Sequence, residues 1–252
     1  MKGLRLAAFI LALASNAAHA QTSGMAPSAA TEAAPFGAPI DDQRVFAHAS
    51  LDQLEARATG DGTDLRWVGE GWVGTDEDRL WIKSEGRLDQ RGKVEDGQQE
   101  LLYDRPISPY FDVQAGARYD LDSGPGRGWA ALGVEGLLPY RIHFSVTGYL
   151  GQDGRGAAKA EAGYDLLLTQ RLILSPQAEL NLYSRADPAR RVGAGVSDLD
   201  AGLRLRYEIS RRFAPYIGFS EQASFGDTAR MAKAAGERTQ DARVVAGVRA
   251  WF

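Results

Sequence analysis

The final stretch of the chain alternates almost without fault. Val244, Ala246, Val248, Ala250 and Phe252 share one face, while Arg243, Gly247, Arg249 and Trp251 share the other. Residues two apart lie on one side of an extended strand, so this pattern specifies a strand with one apolar and one charged face. It stops on an aromatic, Phe252. A strand that closes a membrane barrel, with its end at the lipid–water interface, is built in this way, and Phe252 is accordingly placed at barrel closure.

The same period recurs upstream. Leu199, Ala201, Leu203, Leu205, Tyr207 and Ile209 interleave with Asp200, Gly202, Arg204, Arg206 and Glu208. Ala158 to Leu168 and Ile142 to Leu150 alternate likewise. A helix would scatter these charges around its circumference, whereas a strand segregates them. From Ser50 onward twelve strand-like segments are expected, and no helix. The first, 50–58, alternates least cleanly because Asp52, Gln53, Glu55 and Arg57 crowd it. Connections are alternately short (75–78, 106–109, 139–141, 169–171, 210–212) and longer (59–63, 89–94, 121–127, 152–156, 184–197, 224–240). An even strand count, with both ends on the short-turn side, describes an all-β, antiparallel up-and-down transmembrane barrel whose turns face the periplasm. Trp67, Tyr110, Trp129, Tyr140, Tyr207, Tyr216 and Trp251 fall near strand ends, where an interfacial aromatic girdle is expected.

Residues 1–20 read as a secretory signal: Lys2 and Arg5, an apolar run from Leu6 to Ala14, and Ala18-His19-Ala20 before the cleavage point. Residues 21–47 are rich in Ala, Pro and Ser and are expected to be a disordered periplasmic arm, leaving 48–252 as the barrel. Cell outer membrane is the destination this organisation implies, with outer-membrane lipid as surroundings and a monomer as the expected state. Without Lys2 and Arg5 the chain carries 27 basic and 33 acidic side chains, a net charge of −6, which disfavours nucleic acid. Cysteine is absent, so neither disulfides nor thiolate metal sites arise.

An Arg or Lys facing lipid at the midplane costs about 2–4 kcal/mol, so the charged faces must point into a lumen. Lys83, Glu85, Asp112, Arg118, Glu135, Lys159, Glu161, Glu179, Arg204, Arg206 and Arg249 are therefore expected to form an interior charge network, either purely structural or in part a path for ions. His143 lies on the same face beside Ser145 and Thr147, and as a metal ligand it needs partners such as Glu135 or Glu161. Met25 and His48 are the soft and borderline ligands near the arm. Ser and His together also raise an outer-membrane hydrolase, but no G-x-S-x-G elbow accompanies them, and the reading is a non-enzyme.

Several blocks resemble one family, the copper resistance protein B family of outer-membrane proteins. They include the octapeptide Arg79 to Gly86, the stretch Ile107 to Arg118, and Ala131 to Leu137. Tyr164 to Leu174, Gly195 to Tyr207, Ala214-Pro-Tyr216, Phe225 to Thr228 and Val245 to Phe252 complete the set, over roughly residues 48–252. The resemblance implies copper tolerance, with copper ions bound or passed, and periplasmic copper carriers or a multicopper oxidase as partners. Members often carry a Met- and His-rich N-terminal region. Here the mature chain holds two Met, Met25 and Met231, and two His, His48 and His143, so any site is sparse or built from lumen carboxylates. The alternative is a general small-solute porin or a structural barrel.

Overall fold

The computed structural model describes residues 44–60, 62–121 and 126–252, so the expected signal segment and nearly all of the expected arm, including Met25, lie outside the described residues. The strands are β1 (Phe46–Thr59), β2 (Gly62–Gly74), β3 (Arg79–Leu88), β4 (Val94–Pro106), β5 (Phe111–Asp120), β6 (Arg127–Leu138) and β7 (Ile142–Gly151). They continue as β8 (Gly156–Gly163), β9 (Leu166–Leu167), β10 (Leu172–Tyr183), β11 (Gly195–Tyr207), β12 (Phe213–Ser224) and β13 (Gln240–Trp251). Each pairs antiparallel with its neighbours, and β13 returns to pair with β1. At the seam, the Phe252 N–H donates to the Ala49 carbonyl at 2.8 Å and the Ala49 N–H donates back at 3.3 Å. Strands β8 and β9 both pair with β10 and form one stave, so the barrel closes with the expected twelve staves.

The burial pattern is the inverse of a water-soluble protein. On β13, Val244 is 65% exposed while Arg243 is buried, and the largest side chains sealed completely inside include Arg57, Glu55 and Asp104. An apolar exterior around a polar interior is the arrangement lipid demands of a closed sheet.

Among the local departures from the expected pattern, three bear on the sequence reading. In β1 the register slips between Leu51 and Gln53 against β2, leaving Asp52 as a bulged residue. The bulge shifts the inward phase from even to odd positions, which brings Glu55 and Arg57 inside and explains the blurred pattern of 50–58. The strand also begins at Phe46, ahead of both the expected segment and the expected barrel boundary at 48. The uninterrupted strand expected from Ala158 to Leu168 is broken at Tyr164 and Asp165. Pro176 stands opposite Tyr164 and accepts its N–H at 3.1 Å but has no N–H to return, so the ladder lapses there. The third is a helix where none was expected: α1 (Gly226–Ala234) lies within the longest loop. It ends at Gly236, whose φ of 75° is a left-handed C-terminal cap that suits glycine.

The aromatic girdle is thinner than expected. Tyr110, Tyr140 and Tyr207 are exposed, but Trp129 and Tyr216 turn inward. The Trp129 indole donates to Asp120 Oδ2 at 2.8 Å and the Tyr216 hydroxyl donates to Glu55 Oε2 at 3.0 Å. Trp251 shares the face of Arg249, whose guanidinium sits 5.5 Å from the ring centroid. Both Tyr and Trp carry a polar handle, and interior carboxylates satisfy it better than lipid does. Trp67 is also buried, donating its indole N–H to Ser84 Oγ at 3.1 Å and packing over Gly86, where an added Cβ would meet the indole at 2.5 Å.

Candidate functional site: a charged lumen

The inward positions of most strands line a cavity of about 530 Å³ that reaches the turn end of the barrel, where Pro109 and Tyr110 border it. Nine acidic and five basic side chains line it, a surplus of four negative charges. One part of the wall is fully compensated. Glu55 Oε1 accepts from Arg57 Nε at 2.7 Å and from Arg204 Nη2 at 2.9 Å, and its Oε2 accepts from Arg204 Nε at 2.9 Å. Arg57 continues to Asp200 at 2.8 Å. This belt ties β1, β11 and β12 together across the lumen.

The adjoining part of the wall, reached where Glu179 stands beside Asp200 across the sheet, is less balanced. Glu85 from β3, Glu161 from β8 and Glu179 from β10 converge, with one oxygen of each lying within 4.8 Å of the others. Lys159 Nζ sits against them, 2.5 Å from Glu85 and 3.2 Å from Glu161. Arg66 adds contacts to Glu179 at 2.9 Å and Glu85 at 3.8 Å. Three carboxylates thus share two cations, and Glu70, which lines the same cavity, adds a further acid. Glu161 keeps 46% of its side-chain surface exposed. Three oxygen donors from three strands within a metal ion's reach form a set that a divalent cation can engage, with the lysine ammonium as the present occupant.

The expected metal ligands are distributed unevenly. His143, Glu135 and Glu161 all line the large cavity from β7, β6 and β8. Glu135 and Glu161 flank Ser145 across the sheet, two residues from His143. Glu135 is engaged by Lys83 at 2.7 Å, and Glu161 accepts from Ser145 Oγ at 2.9 Å. His48 lies elsewhere, its ring 6.3 Å from that of Trp72, which in turn stacks near Trp81. The charges expected to face inward all lie within interior contacts. Asp112 pairs with Arg79 at 3.4 Å, Arg206 with Asp165 at 2.8 Å and Arg249 with Asp52 at 2.9 Å. Arg118 pairs with Asp120 at 2.7 Å. Sequence reasoning missed Arg66, Glu70 and Glu100. The signal was present, since Arg66, Val68, Glu70 and Trp72 occupy the inward positions of β2, but a valine among them masked the polar face.

A second, smaller cavity of about 90 Å³ lies at the loop end, with five arginines and three aspartates in its wall. In the loop between β10 and β11, Asp187 is buried and pairs with Arg127 at 2.5 Å and Arg155 at 2.7 Å. Burial raises its carboxyl, but the two guanidinium groups outweigh that and hold it below the ordinary aspartate value.

A closed antiparallel barrel of twelve staves, apolar outside and charged within, defines a β-barrel of the outer-membrane type with an acid-rich lumen. Residues 45–252 match the family described as copper resistance protein B precursor (CopB). Over 216 residues the chain is 41% identical to copper resistance protein B of Escherichia coli, covering 86% of this chain and 73% of the relative. It is 42% identical, at the same coverage, to the copper resistance protein B homolog of Pseudomonas syringae pv. tomato (strain ATCC BAA-871 / DC3000). The chain belongs to the copper resistance protein B family. Among solved structures it is similar to the NanC porin (TM-score 0.51, 10% identity, 81% of this chain and 98% of that one). The KdgM porin gives a TM-score of 0.48 at 12% identity, over 81% and 99%. The NanC likeness speaks to the fold alone.

Proposed function

We propose that the protein serves copper resistance as an outer-membrane barrel whose lumen binds copper ions. The observation that carries this reading is the acid surplus of the large cavity in a chain of this family. A surplus of negative charge behind low-dielectric walls concentrates cations at the turn end, where a periplasmic carrier would deliver them. Carboxylates with imidazole suit copper(II) better than copper(I), and among the described residues the cavity wall contains no methionine. Glu85, Glu161 and Glu179 would hold the ion once Lys159 swings aside, with His143 on the same cavity wall. A structural barrel is favoured by one observation, the close pairing of Lys159 with those carboxylates.

The test is elemental analysis of copper on the refolded mature chain in detergent, with magnesium as competitor and an arm-deleted form alongside. Stoichiometric copper that survives both treatments supports a lumen site. Copper that leaves with the arm transfers the site to Met25 and His48. No copper above the magnesium-competed background sinks the reading in favour of a structural barrel or porin.

A further inference from the structure

Charge is distributed unevenly along the barrel axis. The turn-side cavity has four more acids than bases, while the loop-side cavity has two more bases than acids. Gln98 borders both. The partition beside it is Arg118, whose guanidinium lies 4.6 Å from the Tyr149 ring centroid and 5.9 Å from that of Trp129. Tyr149 is fixed in turn by donating its hydroxyl to Glu100 at 2.7 Å. A cation moving from the acidic cavity toward the loop end would therefore have to pass the buried guanidinium of Arg118.

Above this partition the β10–β11 loop folds into the mouth. Asp187 and Val192 exchange backbone hydrogen bonds of 2.7 and 3.1 Å, making a compact hairpin. Its Asp187 side chain is 9% exposed and is gripped by Arg127 of β6 and by Arg155 of the β7–β8 loop. The far side of the same loop is tied to α1, where the Gly193 N–H donates to Thr228 Oγ1 at 2.7 Å. The loop is thus pinned at both flanks across the opening.

We infer that the barrel is a one-sided cation vestibule: cations exchange with the acidic cavity through the turn end, and the arginine partition beneath the Asp187-latched loop bars them from the loop end. The inference rests on the proposed copper reading only for the identity of the cation. Electrostatics and geometry act together here. Like charges in a low-dielectric passage repel an approaching cation, and the loop removes the wide path around them.

The chain has no cysteine, so Thr147→Cys places a single thiol in the large cavity. The mature protein is refolded into lipid vesicles, and molecules presenting loops or turns outward are told apart by external protease clipping of the loops. A small cationic methanethiosulfonate and a neutral one of similar size are added outside, and labelling is followed by mass spectrometry. The cationic reagent is expected to react from the loop side about tenfold or more slowly than from the turn side. The neutral reagent should show a smaller difference. Adding Asp187→Ala or the milder Asp187→Asn should raise the loop-side rate toward the turn-side rate, with heat-modifiable gel mobility verifying that each variant folds.

Equal cationic labelling from both sides in the parent overturns the barrier. No labelling from the turn side overturns the vestibule. Equal exclusion of both reagents removes the role of charge, and unchanged protection in both Asp187 variants removes the latch. Copper content is read separately, so failure of copper binding and failure of one-sided access remain distinguishable.

Discussion

Two ion-pair clusters share one lumen and differ in how completely they are satisfied. Around Glu55, both carboxylate oxygens are fully engaged, by Arg57, Arg204 and Tyr216, and the side chain has no exposed surface. Around Glu161, three carboxylates share Lys159 and Arg66, and nearly half of the Glu161 side chain is open to the cavity. The first cluster has no capacity left for a ligand and acts on the shape of the barrel. The second retains oxygen donors and surplus charge. A charged interior is therefore not uniformly a site, and completeness of pairing separates scaffold from candidate ligand.

The sharpest way to break this comparison is to remove one acid from each cluster. Glu55→Ala leaves Arg57 and Arg204 buried with their shared partner gone, and breaking such a buried network costs about 3–5 kcal/mol. Urea unfolding of the refolded barrel, followed by tryptophan fluorescence, should show a large fall in midpoint. Lys159→Gln attacks the second cluster by leaving carboxylates short of a cation. A loss of about 2 kcal/mol is expected, and added copper(II) should restore much of it by binding the folded state. If metal fails to rescue this variant, the carboxylates are structural.

Glu161→Gln is milder. Its stability change should stay within about 1 kcal/mol because the group is half open, while copper affinity should fall about tenfold, near 1.4 kcal/mol. Titration calorimetry on the arm-deleted chain reads this directly. The smallest effect concerns acid. Asp187 faces Arg127 and Arg155 in contact, with Asp96, Asp120, Arg185 and Arg190 around the same small cavity. Its lowered carboxyl contributes stability that is fully present above the ordinary aspartate value, about 3.9, and is lost as pH falls through the lower folded value. Hydrogen exchange of amides 184–194, corrected for intrinsic rates, should stay protected at about pH 5 and weaken only below about pH 4. Opening between pH 7 and 5 would assign the latch to another group.

The barrel was legible because period-2 alternation survives wherever a strand separates lipid from a polar lumen. Its exceptions arise where pairing partners, not the strand itself, set the outcome. The Asp52 bulge inverts phase within β1, and nothing in residues 50–58 alone marks where. Pro176 breaks the neighbouring stave at Tyr164, a residue twelve positions away in sequence. Trp129 and Tyr216 looked like interface anchors because proximity to a strand end says nothing about which face finds a carboxylate. Period-2 alternation could group the charges by strand face. Which acids converge it could not show, since Glu85 meets Glu161 and Glu179 from across the barrel, and that depends on stagger around the whole ring.

The seam at Ala49 and Phe252 has a kinetic meaning as well. It joins segments separated by the entire barrel, so the contact that seals the ring is also among the longest in chain separation. Hairpins such as β2–β3 can form locally, but the two edges cannot meet until every intervening stave is in place. Until then both β1 and β13 present unpaired backbone, and each could pair with a strand of another molecule. Closure is therefore expected to be the slow step of assembly, and holding the unfolded chain apart from its copies until that step is as much a requirement of this architecture as the barrel itself.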